Sequence, residues 1–281
     1  MNEIPAVIKT KGNHGTTMKI IDAHCHIYPQ KIAGKAARSI AYFYSIDSAR
    51  LGGTDTELLE TGKKAGVERF AVCSVATKAA QVKSINEFLY RESRAHPEFA
   101  PLMALHPDMS EEDIENEIDL NLARGFCGIK LHPDFQHFYL DDEKAFPIYE
   151  AASGRLPILF HTGDKRYEFS APKRMARVAR EFKRLTCVAA HFGGWSRWEE
   201  ISCYKGLENV YVDTSSTLEY IGADEAERFI KFFGAEWFMY GTDYPMWTEA
   251  DELERFMSLK LTDSEFEMIL SGNAMRVYGI R

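Results

Sequence analysis

Short apolar runs alternate with amphipathic segments about eight times along this chain, at intervals of roughly 25 to 35 residues. Regular alternation of this kind favours parallel strands that are joined by right-handed helical crossovers. The runs are almost continuously apolar, which is typical of strands covered on both faces. The glycine-rich signature of a dinucleotide-binding sheet does not follow the first run. The sequence therefore predicts an α/β protein with a closed (β/α)₈ fold, the TIM barrel.

The length of the chain suits a single barrel. Its 281 residues are close to the roughly 250 residues that are typical of one (β/α)₈ domain. No linker or change in composition divides the chain, so we expect one catalytic barrel domain over residues 18–281. Residues 1–17 lack the apolar stretch of a signal peptide. We expect them to form an N-terminal extension that has no part in the chemistry.

The net charge and the cysteines indicate which kinds of binding partner and which cellular compartment suit this chain. The formal net charge is −8, with neither a basic patch for nucleic acid nor a polybasic signal for membrane surfaces. No apolar run approaches the roughly 20 residues of a membrane span. Five widely spaced cysteines without a Cys-x-x-Cys pair predict buried thiols in a reduced, cytoplasmic protein. We therefore expect a small-molecule partner, and we leave the oligomeric state, including a homo-oligomer, open.

Chemically active side chains stand at the ends of most predicted strands. His24 and His26 are two residues apart, so on a strand they would point to one place, whereas Cys25 would face the packing layer. The later strand ends carry His106, Lys130, His132, His161, His191, Asp213 and Asp243. Catalytic residues of such barrels lie at the C-terminal ends of the strands, so these groups should surround one mouth. Imidazole and carboxylate suit zinc, manganese or iron, and bound zinc makes hydroxide available near neutral pH.

Several of these segments resemble the amidohydrolase superfamily, and in particular its amidohydrolase-related branch, also called amidohydrolase family 2. The matching segments are Asp22–His26, Phe160–Gly163, Ala190–Gly194, Gly241–Pro245 and Gly272–Gly279. That branch contains small metal-dependent hydrolases and aminocarboxymuconate-semialdehyde-type decarboxylases on TIM barrels of the metallo-dependent hydrolase type. The resemblance extends over the whole barrel, from about Ile20 to the end of the chain.

The resemblance implies a metal centre. Its ligands would be His24, His26, His161 and Asp243. We predict one divalent ion and expect zinc. His191 matches a histidine that is an acid/base or electrophilic catalyst beside one metal, or a ligand of a second metal. As catalytic residues we therefore predict His191, together with Asp243 as the group that orients the metal-bound water and takes its proton.

Four further residues are candidates for substrate binding. Lys130 stands on the strand where binuclear members of the family carry a carboxylated lysine, so a second metal remains open. We predict an unmodified Lys130 whose ammonium points into the pocket. His132 would lie at the rim, fixed by the proline that follows it, and Arg166 and Trp195 lie in loops at the barrel mouth. Arg166 and Trp195 could contact an anionic or aromatic substrate, or serve only to pack their loops.

Some helix predictions bear on the site. The segment from residue 27 to residue 53 either covers the pocket or forms a helix packed on the rim. Thr54 is expected to cap a helix that ends near Lys64. We also expect helices from Asp141 to about Ser153 and from Ala223 to Phe233.

The function expected from these features is hydrolysis of a small molecule at an amide, lactone or related C–N or C–O bond by a metal-activated water. The alternative is a metal-dependent decarboxylase or lyase that acts on a small carboxylated substrate, resembling aminocarboxymuconate-semialdehyde decarboxylase. A barrel that has lost catalysis and only binds a partner is a third interpretation. It is disfavoured because no ligand position is missing from the sequence. The sequence gives neither the substrate nor the metal.

Overall fold

Eight parallel strands form one sheet in which each strand pairs with its neighbours in chain order. The computed structural model describes residues 18–46 and 51–281, so the expected extension 1–17 lies outside the described residues. The strands are β1 (Ile21–His26), β2 (Arg69–Cys73), β3 (Phe99–Ala104), β4 (Gly128–Leu131), β5 (Ile158–Phe160), β6 (Cys187–Ala189), β7 (Val210–Asp213) and β8 (Phe238–Met239). Backbone hydrogen bonds from Ala23 to Tyr240 and from His26 to Tyr244 bring the end of β8 back to β1. The (β/α)₈ barrel predicted from the sequence is confirmed.

Helices fill the connections between the strands. They are α1 (Ala33–Tyr44), α2 (Asp55–Ala65), α3 (Val82–Ala95), α4 (Glu111–Ala123), α5 (Pro133–Gln136), α6 (Phe146–Ala152), α7 (Pro172–Glu181), α8 (Leu218–Phe233), α9 (Glu249–Met257), α10 (Asp263–Glu267) and α11 (Asn273–Tyr278). The predicted cap is present at α2, where the Thr54 side chain accepts a hydrogen bond from the Glu57 amide. Gly66, with φ at +87°, ends that helix in the left-handed conformation that glycine adopts without strain.

Three helices differ from the sequence prediction. The helix expected from Asp141 is divided, because Asp142 caps a 3₁₀ turn and α6 begins only at Phe146. α8 has an unexpected first turn from Leu218, and Gly222, with φ 70° and ψ 171°, separates this turn from the predicted helix that follows and ends at Phe233. The short helix α5 was not expected. Its proline stands in the first turn, where the missing amide hydrogen costs nothing.

Two apolar layers surround the sheet. An inner cluster of β-strand side chains, including Ile21, Leu159 and Val188, fills the barrel below the mouth. Tyr278 and other residues of the C-terminal segment pack against this cluster and cover the bottom of the barrel. A larger outer cluster lies between strands and helices, and Cys25 belongs to it, as its alternation with the two histidines predicts.

A register irregularity in β1 turns the two histidines towards the mouth. The pairing of β1 with β2 shifts between Asp22 and Cys25. A bulge inserts one extra residue into a strand and interrupts the alternation of its side chains. The consecutive residues Ala23 and His24 therefore both face the barrel interior, with Ala23 in the inner cluster. Among the described residues, no helix is long and apolar enough to cross a membrane.

Candidate active site

Three side-chain atoms converge at the junction of β1 and the end of β8. Nε2 of His24 lies 3.1 Å from Nε2 of His26. Oδ1 of Asp243 lies 3.5 Å from the first nitrogen and 3.4 Å from the second. Two atoms bound to zinc at about 2.1 Å are about 3.0 Å apart at a right angle and about 3.4 Å apart at the tetrahedral angle. The edges of this triangle therefore suit three ligands of one divalent ion.

Asp213 holds the ring of His24 in the orientation that a ligand needs. Nδ1 of His24 donates to Oδ2 of Asp213 at 2.9 Å, which leaves the Nε2 lone pair facing the triangle. Although burial alone would raise the pKa of Asp213, the neighbouring His24 holds it well below its usual range, so the group is a carboxylate. Burial, followed by the charge of Lys130, lowers the pKa of His24 to about 4. A neutral imidazole beside a carboxylate is the form that binds a metal.

Asp243 is fixed by a short chain of hydrogen bonds on its outer oxygen. Ser216 donates to Oδ2 of Asp243 at 2.7 Å, and the Trp247 indole donates to Ser216 at 2.9 Å. Burial opposes ionisation, yet the hydrogen bond to His26 and the charge of His24 hold the pKa of Asp243 well below its usual range. Asp243 therefore presents an anionic oxygen to the two histidines.

Lys130 lies inside the site. Its side chain is almost fully buried, and its Nζ is 3.0 Å from Nε2 of His24. Burial lowers the pKa of this ammonium. The sulfur of Cys73, at the end of β2, lies on the other side, 3.6 Å from Nδ1 of His26. Cys73 was not among the site residues predicted from the sequence, although it stands at the end of a strand.

His161 and His191 face each other across the site. Nδ1 of His161 lies 3.0 Å from Nε2 of His191. Nε2 of His161 donates to the Gly163 carbonyl at 3.1 Å, so Nδ1 of that ring carries the lone pair. Ser215 donates its hydroxyl hydrogen to Asp213, so Nδ1 of His191 must donate to Ser215 at 2.9 Å.

Two nitrogen lone pairs are therefore directed at one another. Burial lowers the pKa of both rings, that of His161 well below its usual value, which keeps them neutral. Facing lone pairs repel unless a cation lies close to them, and a metal ion beside His161 would satisfy this need. The donor set of the site thus fits a divalent ion, and Nδ1 of His161 has the free lone pair that a ligand atom needs.

A cavity of about 600 Å³ opens from these residues between α1 and α3. Its walls are mostly apolar and aromatic. Among the residues that line it are Tyr28, Ile32, Ile40, Phe43, Tyr44, Ile85, Phe88, His132, Phe135, Trp195 and Met246. α1 packs its small residues on Met246 and Trp247 and turns Ile40, Phe43 and Tyr44 to the cavity. The segment after β1 is therefore a helix on the rim, and it also forms part of the pocket wall.

His132 lies deeper than the rim position expected for it. It is buried, and its ring stacks on His161 with centroids 4.0 Å apart and planes at 4°. Because the rings are parallel, their in-plane lone pairs do not converge on one ion. The Tyr44 hydroxyl lies 3.0 Å from Nε2 of His132. Tyr44 was not among the residues predicted from the sequence.

The remaining candidates are divided between the cavity and its surroundings. Trp195 lines the cavity, edge-on to Tyr44 with ring centroids 4.9 Å apart. Arg166 is outside the lining, and its guanidinium makes a bidentate pair with the buried Asp164. His106 is also outside the lining. Its Nδ1 accepts a hydrogen bond from the Asp108 amide, which stabilises the turn after β3.

Comparisons with known proteins extend these observations. A family model described as amidohydrolase matches residues 21–280. A search of curated proteins found no match.

Three solved structures show the range of similar proteins. One is 5-carboxyvanillate decarboxylase LigW from Sphingomonas paucimobilis, with TM-score 0.73 and 17% identity over 94% of this chain and 100% of the other. A second is dihydroxybenzoic acid decarboxylase from Polaromonas sp. JS666, with bound manganese and the inhibitor 2-nitroresorcinol, at TM-score 0.72 and 15% identity over 93% and 97% of the two chains. The third is a putative 2-pyrone-4,6-dicarboxylic acid hydrolase from Pseudomonas putida, at TM-score 0.65 and 17% identity over 95% and 99%. At these identities the likeness shows a common fold.

Proposed function

Because this chain belongs to the amidohydrolase family, whose model matches residues 21–280, we propose that it is a metal-dependent decarboxylase of a small aromatic carboxylic acid. The observation that carries the proposal is the recurrence of decarboxylases among the solved structures of the same fold. Decarboxylases of 5-carboxyvanillate and of dihydroxybenzoates align over at least 93% of this chain. Decarboxylation is therefore the first candidate here, whereas hydrolysis was the first candidate from the sequence.

The cavity supports an aromatic substrate. Its walls carry many aromatic and aliphatic side chains, and His26, Lys130 and Asp243 line its polar end. A flat ring with a carboxylate matches this division, because the apolar body can be desolvated while the anion meets the polar end. The Lys130 ammonium beside His24 adds positive charge at the polar end.

The metal ligands in this proposal are His24, His26, His161 and Asp243. A divalent ion there would supply positive charge that attracts and orients a carboxylate. Manganese is bound in two of the similar decarboxylases, whereas zinc was expected from the sequence, so both are candidates here.

Loss of carbon dioxide requires a proton at the ring carbon that carries the carboxyl group. The proton forms the new C–H bond, and the C–C bond to the carboxyl group breaks with its electron pair returning to the ring. His191 and Asp243 are the groups of this chain that can hold such a proton at the site, on Nε2 and on a carboxyl oxygen respectively. Lys130 neutralises the substrate's carboxylate before the bond breaks.

The test is a screen of hydroxylated benzoic acids with protein loaded with manganese or zinc, carried out in D₂O and in ¹⁸O-labelled water. Decarboxylation predicts carbon dioxide release and a deuterium atom at the vacated ring carbon, with no ¹⁸O in the aromatic product. His191→Asn should keep the metal and lose on the order of 10²–10⁴ in kcat, the usual size of an acid/base contribution. Product that contains ¹⁸O without release of carbon dioxide would contradict the proposal.

Hydrolysis of a lactone or amide is the second candidate. The observation that favours it is the similar fold of the putative 2-pyrone-4,6-dicarboxylic acid hydrolase. In that case Asp243 would take a proton from the attacking water and deliver it to the leaving group. The same labelled-water experiment with lactones, cyclic esters of pyrone type and anilides decides between the two, because only hydrolysis transfers ¹⁸O to the product.

A further inference from the structure

The last residue of α1 enters the site beside two of its histidines. The hydroxyl oxygen of Tyr44 lies 3.0 Å from Nε2 of His132 and 3.2 Å from Nε2 of His161. Its side chain lines the cavity together with both rings. Tyr44 is neither one of the proposed metal ligands nor one of the groups proposed to carry a proton.

The tautomers of the two rings determine what the phenol can do. Nδ1 of His132 accepts a hydrogen bond from the Phe135 amide at 3.4 Å, so the hydrogen of this neutral ring is on Nε2. Nε2 of His161 donates to the Gly163 carbonyl, so it also carries a hydrogen. Both nitrogens that face Tyr44 are therefore donors. The phenol oxygen accepts from them, and its own hydrogen has no acceptor on either ring.

We propose that Tyr44 is a substrate-binding residue whose hydroxyl donates a hydrogen bond to a carboxylate or phenolate oxygen of an aromatic substrate. The inference rests on the proposed function for the class of substrate. The hydrogen that Tyr44 would donate is the one that the two neighbouring rings leave without an acceptor.

Arg166 is the positioning residue in this proposal. Its Nη1 donates to the carbonyl of Phe43, at the C-terminal end of α1, where a cation also interacts favourably with the helix dipole. The guanidinium lies over the rings of Phe43 and Tyr44, at 4.7 and 5.5 Å from their centroids. Asp164, which is fully buried, holds the other side of the guanidinium. In this proposal Arg166 acts on Tyr44, whereas the sequence left both substrate contact and loop packing open for it.

The test measures binding of 4-nitrocatechol, a chromogenic ring with adjacent hydroxyls that can be neither decarboxylated nor hydrolysed. Binding is followed by absorbance in protein loaded with cobalt, and azide serves as a second probe that reports only on the metal. Tyr44→Phe should weaken 4-nitrocatechol binding about 10- to 150-fold, the range for one hydrogen bond to a charged group. Azide affinity and cobalt content should stay unchanged. Tyr42→Phe is the matched control, because Tyr42 is on the same helix and 88% exposed.

A double-mutant cycle tests the role of Arg166. Arg166→Met should weaken 4-nitrocatechol binding about as much as Tyr44→Phe does, and the double variant should bind no more weakly than either. Additive losses would show that Arg166 does not act through Tyr44. Arg166→Lys, which keeps the charge, is the second variant if the methionine variant is unstable.

Other outcomes overturn the inference. These are equal 4-nitrocatechol binding by wild type and Tyr44→Phe, an equal loss of azide binding in that variant, or a wild-type protein that binds azide but not 4-nitrocatechol. A failure of the proposed function is distinguishable from these. In that case no benzoic acid of the screen would release carbon dioxide, while the effect of Tyr44→Phe on 4-nitrocatechol would remain.

Discussion

Replacing Asp213 with asparagine should reduce metal affinity, although Asp213 is not one of the proposed ligands. Oδ1 of Asp213 accepts hydrogen bonds from the amides of His191 and Ser215 and from the Ser215 hydroxyl. An asparagine must place its oxygen on this side, because all three groups are donors. Its NH₂ group then faces Nδ1 of His24, where Oδ2 now accepts a hydrogen bond at 2.9 Å.

Because the asparagine NH₂ group is a donor where the carboxylate oxygen was an acceptor, His24 must adopt its other tautomer. Its Nδ1 would have to accept a hydrogen bond, so the hydrogen of the neutral ring would move to Nε2, the atom that faces His26 and Asp243. A protonated Nε2 cannot bind a metal. Loss of such an outer partner typically costs 10- to 100-fold in metal affinity, or about 1.4 to 2.7 kcal/mol.

The assay is competition for zinc or manganese between dialysed protein and a fluorescent chelator. Asp141→Asn is the control, because Asp141 pairs with Arg174 and Arg177 away from the cavity and its variant should bind metal like wild type. Circular dichroism shows whether each variant is folded. A folded Asp213→Asn protein whose metal affinity is within twofold of wild type would refute the assignment of Nε2 of His24 as a ligand.

Three further predictions concern the metal content of the site and the stability of the fold. Metal analysis should show one ion per chain, and the mass of the intact protein should show no carbon dioxide added to Lys130. Two ions together with a carboxylated lysine would contradict this prediction and make the centre binuclear. Burial and then Asp22 raise the pKa of Glu249 to about 8, so the folded state loses stability as pH rises from about 4.5 to 8. Glu249→Gln should match wild type at pH 5 and exceed it by about 3 to 5 kcal/mol at pH 9 in urea unfolding, and equal stabilities at pH 9 would contradict this. Gly163→Ala should lower the unfolding free energy by about 2 kcal/mol more than Gly66→Ala. Both glycines have φ +87°, but a Cβ at Gly163 would lie 2.3 Å from the Trp195 amide nitrogen, whereas Gly66 has open space; equal losses of stability would rule out that steric contact.

The barrel could be predicted from the sequence because most strands are nearly continuous apolar runs that end at a polar residue. This pattern depends only on burial of both faces and on the position of each strand end. The boundaries were less accurate where local geometry decides them. Gly222 interrupts α8 with a backbone conformation that is not helical, and periodicity alone carries no sign of such a break. α5 is a single turn, too short for an apolar period to show.

The site was predictable only in part. His24, His26 and Asp243 stand at strand ends, and the structure brings their atoms into one triangle. Asp213 also stands at a strand end, but its role depends on a contact with a residue 189 positions away in the chain. Tyr44 was missed for a similar reason. Its position depends on where α1 ends, and the sequence after β1 allowed both a covering loop and a rim helix.

The two residues proposed to carry protons share an unusual backbone conformation that explains why Asp213 should matter beyond metal affinity. His191 and Asp243 have φ of +63° and +61°, which side-chain-bearing residues rarely adopt and which must be held by surrounding contacts. The Asp243 amide donates to the His24 carbonyl, and the His191 amide donates to Oδ1 of Asp213. Asp213 thus orients a proposed ligand with one oxygen and the backbone of a proposed catalyst with the other. Asp213→Asn keeps the second contact, so its loss of activity should be restored by saturating metal, whereas Asp213→Ala should stay impaired at any metal concentration.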